Sequence, residues 1–434
     1  MSEPATTEPA TTEPATGTGS KAQRPAAPGD FWKLWTGQSI SLLGDSFMVV
    51  ALPLFAVSVL HLSAAQAALT PFALNAPFLI LSLPAGALID RRRRREVMLA
   101  CDVTQAAVFG LIALAAWLHQ LSFVLLMLLL VISGCALVFF QVAYTTYLPS
   151  LISDPDELHR GNSRLYLSES ASKTLGPVAA GPLVSLFGPL ATIALNAGSF
   201  LLSFGAVTAI RHREPEPQAA PAERVGMVRE IREGLSFVLR HPWLEPVLSA
   251  GAVYVFFLSV LEASLVLYLH YTWGMSTGAI GLVLGLAGLG YPVGSLLSKR
   301  IMDGIGTSRA LILSLVVNIL GCAAMPVFGS VGWTAGLIVG GILQGFANAV
   351  FGPISLTLRQ TVTPPGLLGR VNSVQRFLLW GMVPLGSLAA SAMISLAGLA
   401  GALWMGGIGT ALSLPVLARR RVRRGWSTPA EAPA

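Results

Sequence analysis

Residues 67–118 read AALTPFALNAPFLILSLPAGALIDRRRRREVMLACDVTQAAVFGLIALAAWL, which is two apolar stretches joined by five consecutive arginines, Arg91 to Arg95. The apolar stretches cover 67–89 and 97–118. About 20 helical residues cross a hydrocarbon core of about 30 Å, so each stretch is long enough to span a membrane. Arginines between two spans are typical of a cytoplasmic loop, because Lys and Arg are concentrated on that side. The segment therefore predicts two membrane-spanning helices joined by a cytoplasmic turn.

The composition of the whole chain agrees with this interpretation. Of 434 residues, 53% are apolar and only 11% are charged, and the mean hydropathy is +0.68. A soluble domain carries about 25% charged residues, because its surface must face water. This chain has too few charges for such a surface, which excludes a series of soluble domains and leaves a polytopic membrane protein.

Twelve apolar stretches of spanning length follow one another between Leu34 and Leu417. The fifth and sixth are separated only by Gly188-Pro189, and the eleventh and twelfth only by Ala397-Gly398. With twelve spans and both termini inside, all 28 Lys and Arg lie on the cytoplasmic side, whereas merging either pair moves some of them outward. We therefore predict an all-α protein of the cell membrane with twelve transmembrane helices and cytoplasmic termini. The net charge of +7 then reflects topology, and no nucleic-acid partner is expected.

An internal repeat divides the spans into two halves of six. The segment Pro155-x-x-Leu158-x-Arg160-x-Asn162-Ser163 recurs as Pro365-x-x-Leu368-x-Arg370-x-Asn372-Ser373, at an offset of 210 residues. Ser185-Leu186-x-Gly188 recurs as Ser395-Leu396-x-Gly398 at the same offset. Duplicated six-helix bundles are the architecture of transporters that move around a central site.

The domain boundaries follow from the spans and from the composition between them. The predicted domains are a disordered cytoplasmic tail at 1–30, a first bundle at 31–210, a linker at 211–243, a second bundle at 244–418 and a basic cytoplasmic tail at 419–434. The first tail is polar and Pro-rich and lacks the apolar region of a signal peptide. The linker has apolar residues at helical spacing over Val225–Leu239, which predicts an amphipathic helix lying on the membrane surface and tethering the bundles.

The loop between the second and third spans reads Gly86-x-Leu88-x-Asp90-Arg91-x-x-Arg94-Arg95. From Phe31 to about Arg424 the chain resembles the major facilitator superfamily. This loop is similar to the superfamily's signature, although Arg93 stands where Gly is usual. The resemblance implies a two-bundle transporter in which Asp90 and Arg91 help to lock the cytoplasmic side.

We assign five residues to this cytoplasmic gate: Gly86, Asp90, Arg91, Arg94 and Asp102. Asp102 is included because it lies only five residues into the third span, where it is expected to pair with the arginine loop. The alternative is that the arginines only anchor the loop on the cytoplasmic side.

The fifth span contains Gly176-Pro177-Val-Ala-Ala-Gly181-Pro182, which is similar to a motif associated with antiporters of the superfamily. A proline bends a helix, and glycines let a neighbouring helix approach closely. The eighth span offers a matching smooth face at Gly281, Gly285 and Gly288. The motif therefore favours export, with ordinary tight packing as the alternative.

Two carboxylates lie inside predicted spans, Asp45 in the first and Glu262 in the seventh. An ionisable residue at such a depth costs about 2.5–3.5 kcal/mol on insertion scales, which makes it a functional candidate. The two spans are equivalent in the repeats, and both are expected to line a central cavity. We predict that Asp45 and Glu262 exchange protons and bind cationic groups, while the alternative for Asp45 is a structural hydrogen bond. Lys173 is expected to extend to the membrane interface.

Aromatic and amide side chains on the expected cavity helices predict an amphipathic organic ligand. Rings give apolar contact of low specificity, and amides fix the orientation of a ligand. The alternative for these side chains is packing or contact with lipid. The cavity candidates are Gln38, Gln141, Tyr144, Tyr254, Gln344 and Asn348.

The sequence contains no GxxxxGK[ST] phosphate-binding loop and no catalytic or metal-binding motif, so neither enzymatic activity nor a cofactor or metal is expected. The segments Gln38–Asp45 and Asn162-Ser163 resemble the branch of drug and siderophore exporters that includes macrolide efflux proteins. We predict proton-coupled efflux of amphipathic small molecules by alternating access. The expected partners of the monomer are its substrate, protons and the lipid bilayer. Uptake, siderophore or lipid transfer, and a transport-inactive membrane sensor are the alternatives.

Overall fold

The computed structural model describes residues 28–82, 84–89, 92–152, 154–212, 214, 227–364 and 367–417. Across these ranges the chain is helical, and no strand occurs within them. Ten helical stretches of this part are long and apolar enough to cross a membrane. The predicted all-α architecture is thus confirmed.

The helices fall before and after the linker. Those before it are α1 Pro28–Ser58, α2 Ala64–Ala67, α3 Thr70–Leu81, α4 Pro84–Ile89, α5 Arg94–Trp117, α6 Phe123–Leu151 and α7 Pro155–Thr208. In the linker and after it are α8 Met227–Arg240, α9 Leu244–Tyr271, α10 Thr277–Gly288, α11 Gly290–Ile305, α12 Thr307–Ser330, α13 Thr334–Val362, α14 Leu368–Trp380, α15 Met382–Gly409 and α16 Ser413–Leu417. A short 3-10 turn, Thr410–Leu412, separates the last two.

Short polar side chains fix several helix starts. Ser122 accepts a hydrogen bond of 3.2 Å from the backbone N–H of Leu125 at the start of α6. Asp154 accepts one of 2.8 Å from the backbone N–H of Glu157 at the start of α7. Such caps satisfy backbone donors that have no partner within the helix, so they favour helix initiation at these positions.

Helices α7 and α15 are interrupted at glycines. Helix α7 has 54 residues, a length of about 81 Å at about 1.5 Å per residue, which is more than twice a hydrocarbon core. Gly188 interrupts it with φ 80°, and Gly398 interrupts α15 with φ 73°. Backbone with positive φ strains any residue that carries a Cβ. These glycines coincide with the two span boundaries predicted from sequence.

The starts of α1 and α5 meet the end of α7 at one end of the molecule, which we call the basic end. Asp30 is fully buried there and accepts hydrogen bonds from Lys33 Nζ (2.7 Å) and from the backbone N–H of His212 (3.0 Å). Arg95 donates to the carbonyl of Thr208 at 2.7 Å. Backbone carbonyls and amides left over at the helix ends are therefore paired with charged side chains.

The helices before the linker pack mainly on one another, and so do those after it. Helix α7 contacts α1 and α5, and α6 contacts α3 and α5; we call α1 to α7 the N-terminal set. Helix α9 contacts α15, and α13 contacts α10, α11 and α12; we call α9 to α16 the C-terminal set. The sets meet chiefly where α7 packs on α10 and where α3 packs on α15.

The linker helix α8 belongs with the C-terminal set. Val238 is buried in a cluster with Leu244 and Val371, and Glu233 forms an ion pair with Arg370. The amphipathic helix predicted in the linker is therefore present over its described part. Its apolar side packs on α9 and α14 instead of lying only on a membrane surface.

Candidate functional site

A cavity of about 530 Å³ lies between the two helix sets. Its wall is mostly apolar and includes Met48, Leu258 and Trp380. The polar and charged side chains that line it are Asp45, Ser46, Thr70, Asn75, Lys173, Ser259, Glu262, Tyr291, Gln344 and Ser387. Sites for organic ligands are typically apolar cavities of about 300–1,000 Å³ with a few polar groups. This cavity therefore fits an amphipathic organic molecule.

The two carboxylates singled out in the sequence face this cavity from opposite sets. Asp45 is half-buried on α1, and Glu262 on α9 is exposed although its neighbours Leu261 and Ala263 are buried. Helix α15 packs closely on α9, where a Cβ at Gly406 would lie 2.5 Å from the backbone nitrogen of Leu261. In the described part of the chain, no three His, Cys, Asp or Glu side chains are grouped to hold a metal ion.

Two glycines allow α1 and α7 to pack closely on either side of Asp45. One contact involves the stretch of α7 before Gly188 and the other the stretch after it. A Cβ at Gly44 would lie 2.4 Å from Asn196 Oδ1, and a Cβ at Gly176 would lie 2.2 Å from the Cβ of Ser46. Neither position leaves room for a larger residue. The first glycine of the antiporter-like motif therefore fixes the helix that carries Asp45.

A third charged side chain, Lys173, also lines the cavity. Its Nζ donates to Glu169 Oε1 at 2.8 Å and lies 5.4 Å from the centroid of the Tyr291 ring. It is also close enough to Glu262 for the two charges to attract each other. The face of α7 that carries Lys173 turns towards α10 and α11, and extension of its half-exposed side chain to the membrane interface stays a prediction. The signal that sequence reasoning missed is the spacing of Glu169 and Lys173, four residues apart in an apolar span.

The contact between α7 and α10 runs beside Lys173. Thr174 donates a hydrogen bond of 2.9 Å to the carbonyl of Gly288, and both groups are buried. A Cβ at Gly281 would lie 2.4 Å from the carbonyl oxygen of Pro177, and a Cβ at Gly181 would lie 3.1 Å from the Cα of Gly278. Pro177 and Gly181 thus pack on the glycine face of the eighth span, whereas Gly176 packs on α1, and the antiporter role of the motif stays a prediction.

Only one of the six predicted cavity side chains lines the cavity directly. Gln344 does so, and its Nε2 donates to the hydroxyl of Tyr254 at 3.4 Å. Tyr254 is buried and in turn donates to Asn318 Oδ1 at 2.7 Å. Tyr254 therefore positions Gln344 from behind the cavity wall.

The other four candidates lie outside this lining. Gln38 lies about two turns nearer the start of α1 than Asp45, and Asn348 lies about one turn beyond Gln344 on α13. No residue of α6 lines the cavity, although Gln141 and Tyr144 are on that helix. Tyr144 stacks on Phe140, with ring centroids 6.1 Å apart. Contact of Gln38, Gln141, Tyr144 or Asn348 with a ligand stays a prediction.

Of the predicted gate residues, Arg94 lies at the basic end of the N-terminal set. Asp90 and Arg91 are outside the described residues, and a Cβ at Gly86 in α4 would meet open space. Arg94 forms an ion pair of 3.6 Å with Glu214.

Asp102 is buried on α5 and accepts a hydrogen bond of 2.9 Å from Ser203 on α7. The partner expected from sequence was the arginine loop, but the bond instead joins two neighbouring helices of one set. The gating role of Asp102 stays a prediction, as does that of the other four residues.

The comparison with known families decides the assignment. Residues 21–432 match the profile of an MFS family described as "transmembrane secretion effector". The chain belongs to this family of the major facilitator superfamily. The resemblance recognised in the loop Gly86–Arg95 is therefore confirmed.

Relatives in the superfamily include exporters. The multidrug efflux pump Tap of Mycolicibacterium fortuitum is 27% identical over 381 residues, covering 86% of this chain and 90% of that protein. The enterobactin exporter EntS of Citrobacter koseri is 25% identical over 347 residues, covering 79% of this chain and 80% of that protein. An uncharacterized MFS-type transporter of Sinorhizobium fredii is 28% identical over 373 residues, covering 85% and 89%.

Solved structures of superfamily transporters have the same fold. A mutant of the nucleoside transporter NupG superposes with a TM-score of 0.73 at 13% identity, covering 90% of this chain and 99% of that one. A bacterial homologue of the iron transporter ferroportin in its inward-facing state superposes with a TM-score of 0.70 at 18% identity. The match covers 89% of this chain and 97% of that one. These structures show the shared fold, and the family match identifies the chain as an MFS-type transporter.

Proposed function

We propose that this protein exports amphipathic organic cations across the cell membrane in exchange for protons. The observation that carries the proposal is the pair of carboxylates, Asp45 and Glu262, which face one amphipathic cavity from opposite helix sets. The similarity to Tap, a multidrug efflux pump, and to EntS, an enterobactin exporter, supports the direction of transport.

The proposed topology has twelve spans in two six-helix bundles, with both termini in the cytoplasm. Dividing α7 at Gly188 and α15 at Gly398 turns the ten apolar stretches into twelve. The basic end then lies in the cytoplasm, in agreement with the preference of Lys and Arg for that side. Alternating access requires the sets to rock about the cavity between them.

Exchange follows from competition at the carboxylates. A carboxylate that holds a proton is neutral and has lost its attraction for a cationic group, so proton and substrate bind in alternation. Exchange of one proton for one monovalent cation moves no net charge, so the pH difference drives it, and each further proton adds about 2.3 kcal/mol per 100 mV of membrane potential. Binding of a proton on the outer side at Asp45 or Glu262 therefore drives release of the cation, and loss of the proton on the cytoplasmic side prepares the site for the next one.

Lys173 couples this exchange to the movement of the two helix sets. It belongs to the N-terminal set, whereas Glu262, whose charge attracts it, belongs to the C-terminal set. A proton or cationic substrate on Glu262 removes this attraction and leaves Lys173 with Glu169, its partner on the same helix. Occupancy of the site thereby weakens an electrostatic attraction between the two helix sets.

The five gate residues complete the proposal at the cytoplasmic side. We assign Gly86, Asp90, Arg91, Arg94 and Asp102 to closure of the basic end while the cavity faces outward. The ion pair of Arg94 with Glu214 supports a role for this loop in holding the basic end together.

Transport in inside-out vesicles tests the proposal. The lumen is acidified, and ethidium, a permanently charged fluorescent cation, is added outside. We expect accumulation in the lumen that stops when an ionophore removes the gradient, and loss of accumulation in Asp45→Asn and Glu262→Gln. Asp303→Asn removes an exposed carboxylate outside the cavity and should transport normally. Accumulation by the native protein without a gradient, or normal transport by both cavity variants, would overturn the proposal.

A further inference from the structure

A second pocket, of about 820 Å³, opens at the junction of α8 and α9, apart from the central cavity. We call it the junction pocket. The proposed transport cycle uses none of its residues. It is lined by Arg229, Arg232, Glu233, Ser236, Phe237, Arg240, His241, Pro242 and Leu367.

The junction pocket has an excess of positive charge. Three arginines line it against one carboxylate, Glu233, which is already paired with Arg229 at 3.2 Å and with Arg370 outside the pocket. Arg232 and Arg240 are exposed, and neither forms an ion pair within the described residues. As far as the described side chains go, two guanidinium groups are therefore available to an anion.

This charge does not depend on pH near neutrality. Burial lowers the pKa of His241, so its imidazole is neutral at pH 7. Its Nδ1 accepts the backbone N–H groups of Trp243 (3.3 Å) and Leu244 (3.4 Å), which needs the neutral form. Arginine stays protonated throughout this range, so the guanidinium groups keep their charge and His241 adds none to the junction pocket.

The position of the junction pocket favours a lipid. Helix α9, which is long and apolar enough to cross the membrane, begins at Leu244, two residues after Pro242 in the pocket wall. Leu239 is 51% exposed beside Arg240, an arrangement expected where protein meets the bilayer surface. Phe237 and Leu367 give the same pocket an apolar wall. Guanidinium groups above an apolar wall match the phosphate and the glycerol end of a phospholipid.

We propose that the junction pocket binds the headgroup phosphate of an anionic phospholipid, with Arg232 and Arg240 as its ligands. Guanidinium groups match the oxygens of a phosphate in geometry and charge. Basic pockets at the cytoplasmic side of membrane helices are known to hold such headgroups. A bound lipid would fix α8, and through the Glu233–Arg370 ion pair the C-terminal set, to the cytoplasmic leaflet.

Native mass spectrometry of the purified full chain tests this inference without measuring transport. Phosphatidylglycerol and phosphatidylcholine are titrated separately. We expect the native protein to bind phosphatidylglycerol about tenfold more tightly, which corresponds to about 1.4 kcal/mol. The double variant Arg232→Gln/Arg240→Gln should lose this preference and still bind phosphatidylcholine as the native protein does.

Lys299→Gln/Arg300→Gln is the matched control, because it removes two exposed charges of α11 that do not line the junction pocket. This control should still bind phosphatidylglycerol more tightly than phosphatidylcholine. Both double variants should keep the native melting temperature. Equal loss in the two double variants, or no loss in the first, overturns the assignment. Displacement of phosphatidylglycerol by millimolar inorganic phosphate overturns it in favour of a free-phosphate site.

Discussion

Thr174 donates a hydrogen bond of 2.9 Å to the carbonyl oxygen of Gly288, and this bond joins the two helix sets directly beside Lys173. A contact between the sets thus lies next to a charged residue of the central cavity. The glycines of α10 make the contact possible, because larger residues there would separate α10 from α7.

Gly281→Ala should therefore destabilise the protein. The added Cβ would lie 2.4 Å from the carbonyl oxygen of Pro177 and 2.7 Å from the Cα of Gly181, so backbone must shift. Overpacking of this kind costs about 1–3 kcal/mol. A lower melting temperature in detergent is expected. Gly304→Ala, on a helix position where a Cβ meets open space, is the control and should be neutral or slightly stabilising. Equal melting temperatures for the two variants would contradict close packing at Gly281.

Lys173→Gln should raise the affinity of the cavity for a monovalent lipophilic cation. The variant removes an internal cation that is attracted to Glu262 and releases Glu169 from its ion pair. A partly exposed pair contributes up to about 1 kcal/mol, so we expect an increase of up to about fivefold. Ethidium binding followed by fluorescence measures it.

Two further variants separate charge from shape in that measurement. Lys173→Arg keeps the charge and should bind ethidium as the native protein does. Lys299→Gln removes a lysine outside the cavity and should also be unchanged. Weaker binding by Lys173→Gln would contradict the role of Lys173 as an internal counter-ion.

The junction of α8 and α9 should lose stability on acidification. Burial lowers the pKa of His241, so the unfolded chain takes up a proton at higher pH than the folded chain does. The contribution of His241 is therefore complete above about pH 6.5 and falls as the pH drops below it. His241→Asn keeps an acceptor for the backbone of α9, and its melting temperature should fall less between about pH 7.5 and about pH 5.5. Identical falls in the native protein and the variant would contradict this.

Hydropathy and charge predict the fold well, because both depend only on the order of apolar and charged residues in the sequence. The arginines after Gly86 mark one loop, and Gly188 and Gly398 stand at the breaks of α7 and α15. Asp45 and Glu262 could be found in the same way, because a carboxylate within an apolar span stands out in the sequence. Both line the cavity.

The remaining features depend on the rotation of each helix, which hydropathy does not report. Lys173 turns inward because Gly288 admits α7, and Asp102 pairs with Ser203 because α5 packs on that face of α7. Gln141 and Tyr144 are on a helix that does not reach the cavity lining. Such placements require the three-dimensional contacts between helices.

Proton release on ligand binding tests the central claim most directly. Purified protein in weakly buffered detergent solution at pH 7 is mixed with ethidium, and a pH indicator records the protons released per cation bound. Exchange at Asp45 and Glu262 predicts release by the native protein and none by Asp45→Asn/Glu262→Gln. Ethidium binding by the native protein without any release of protons would contradict it.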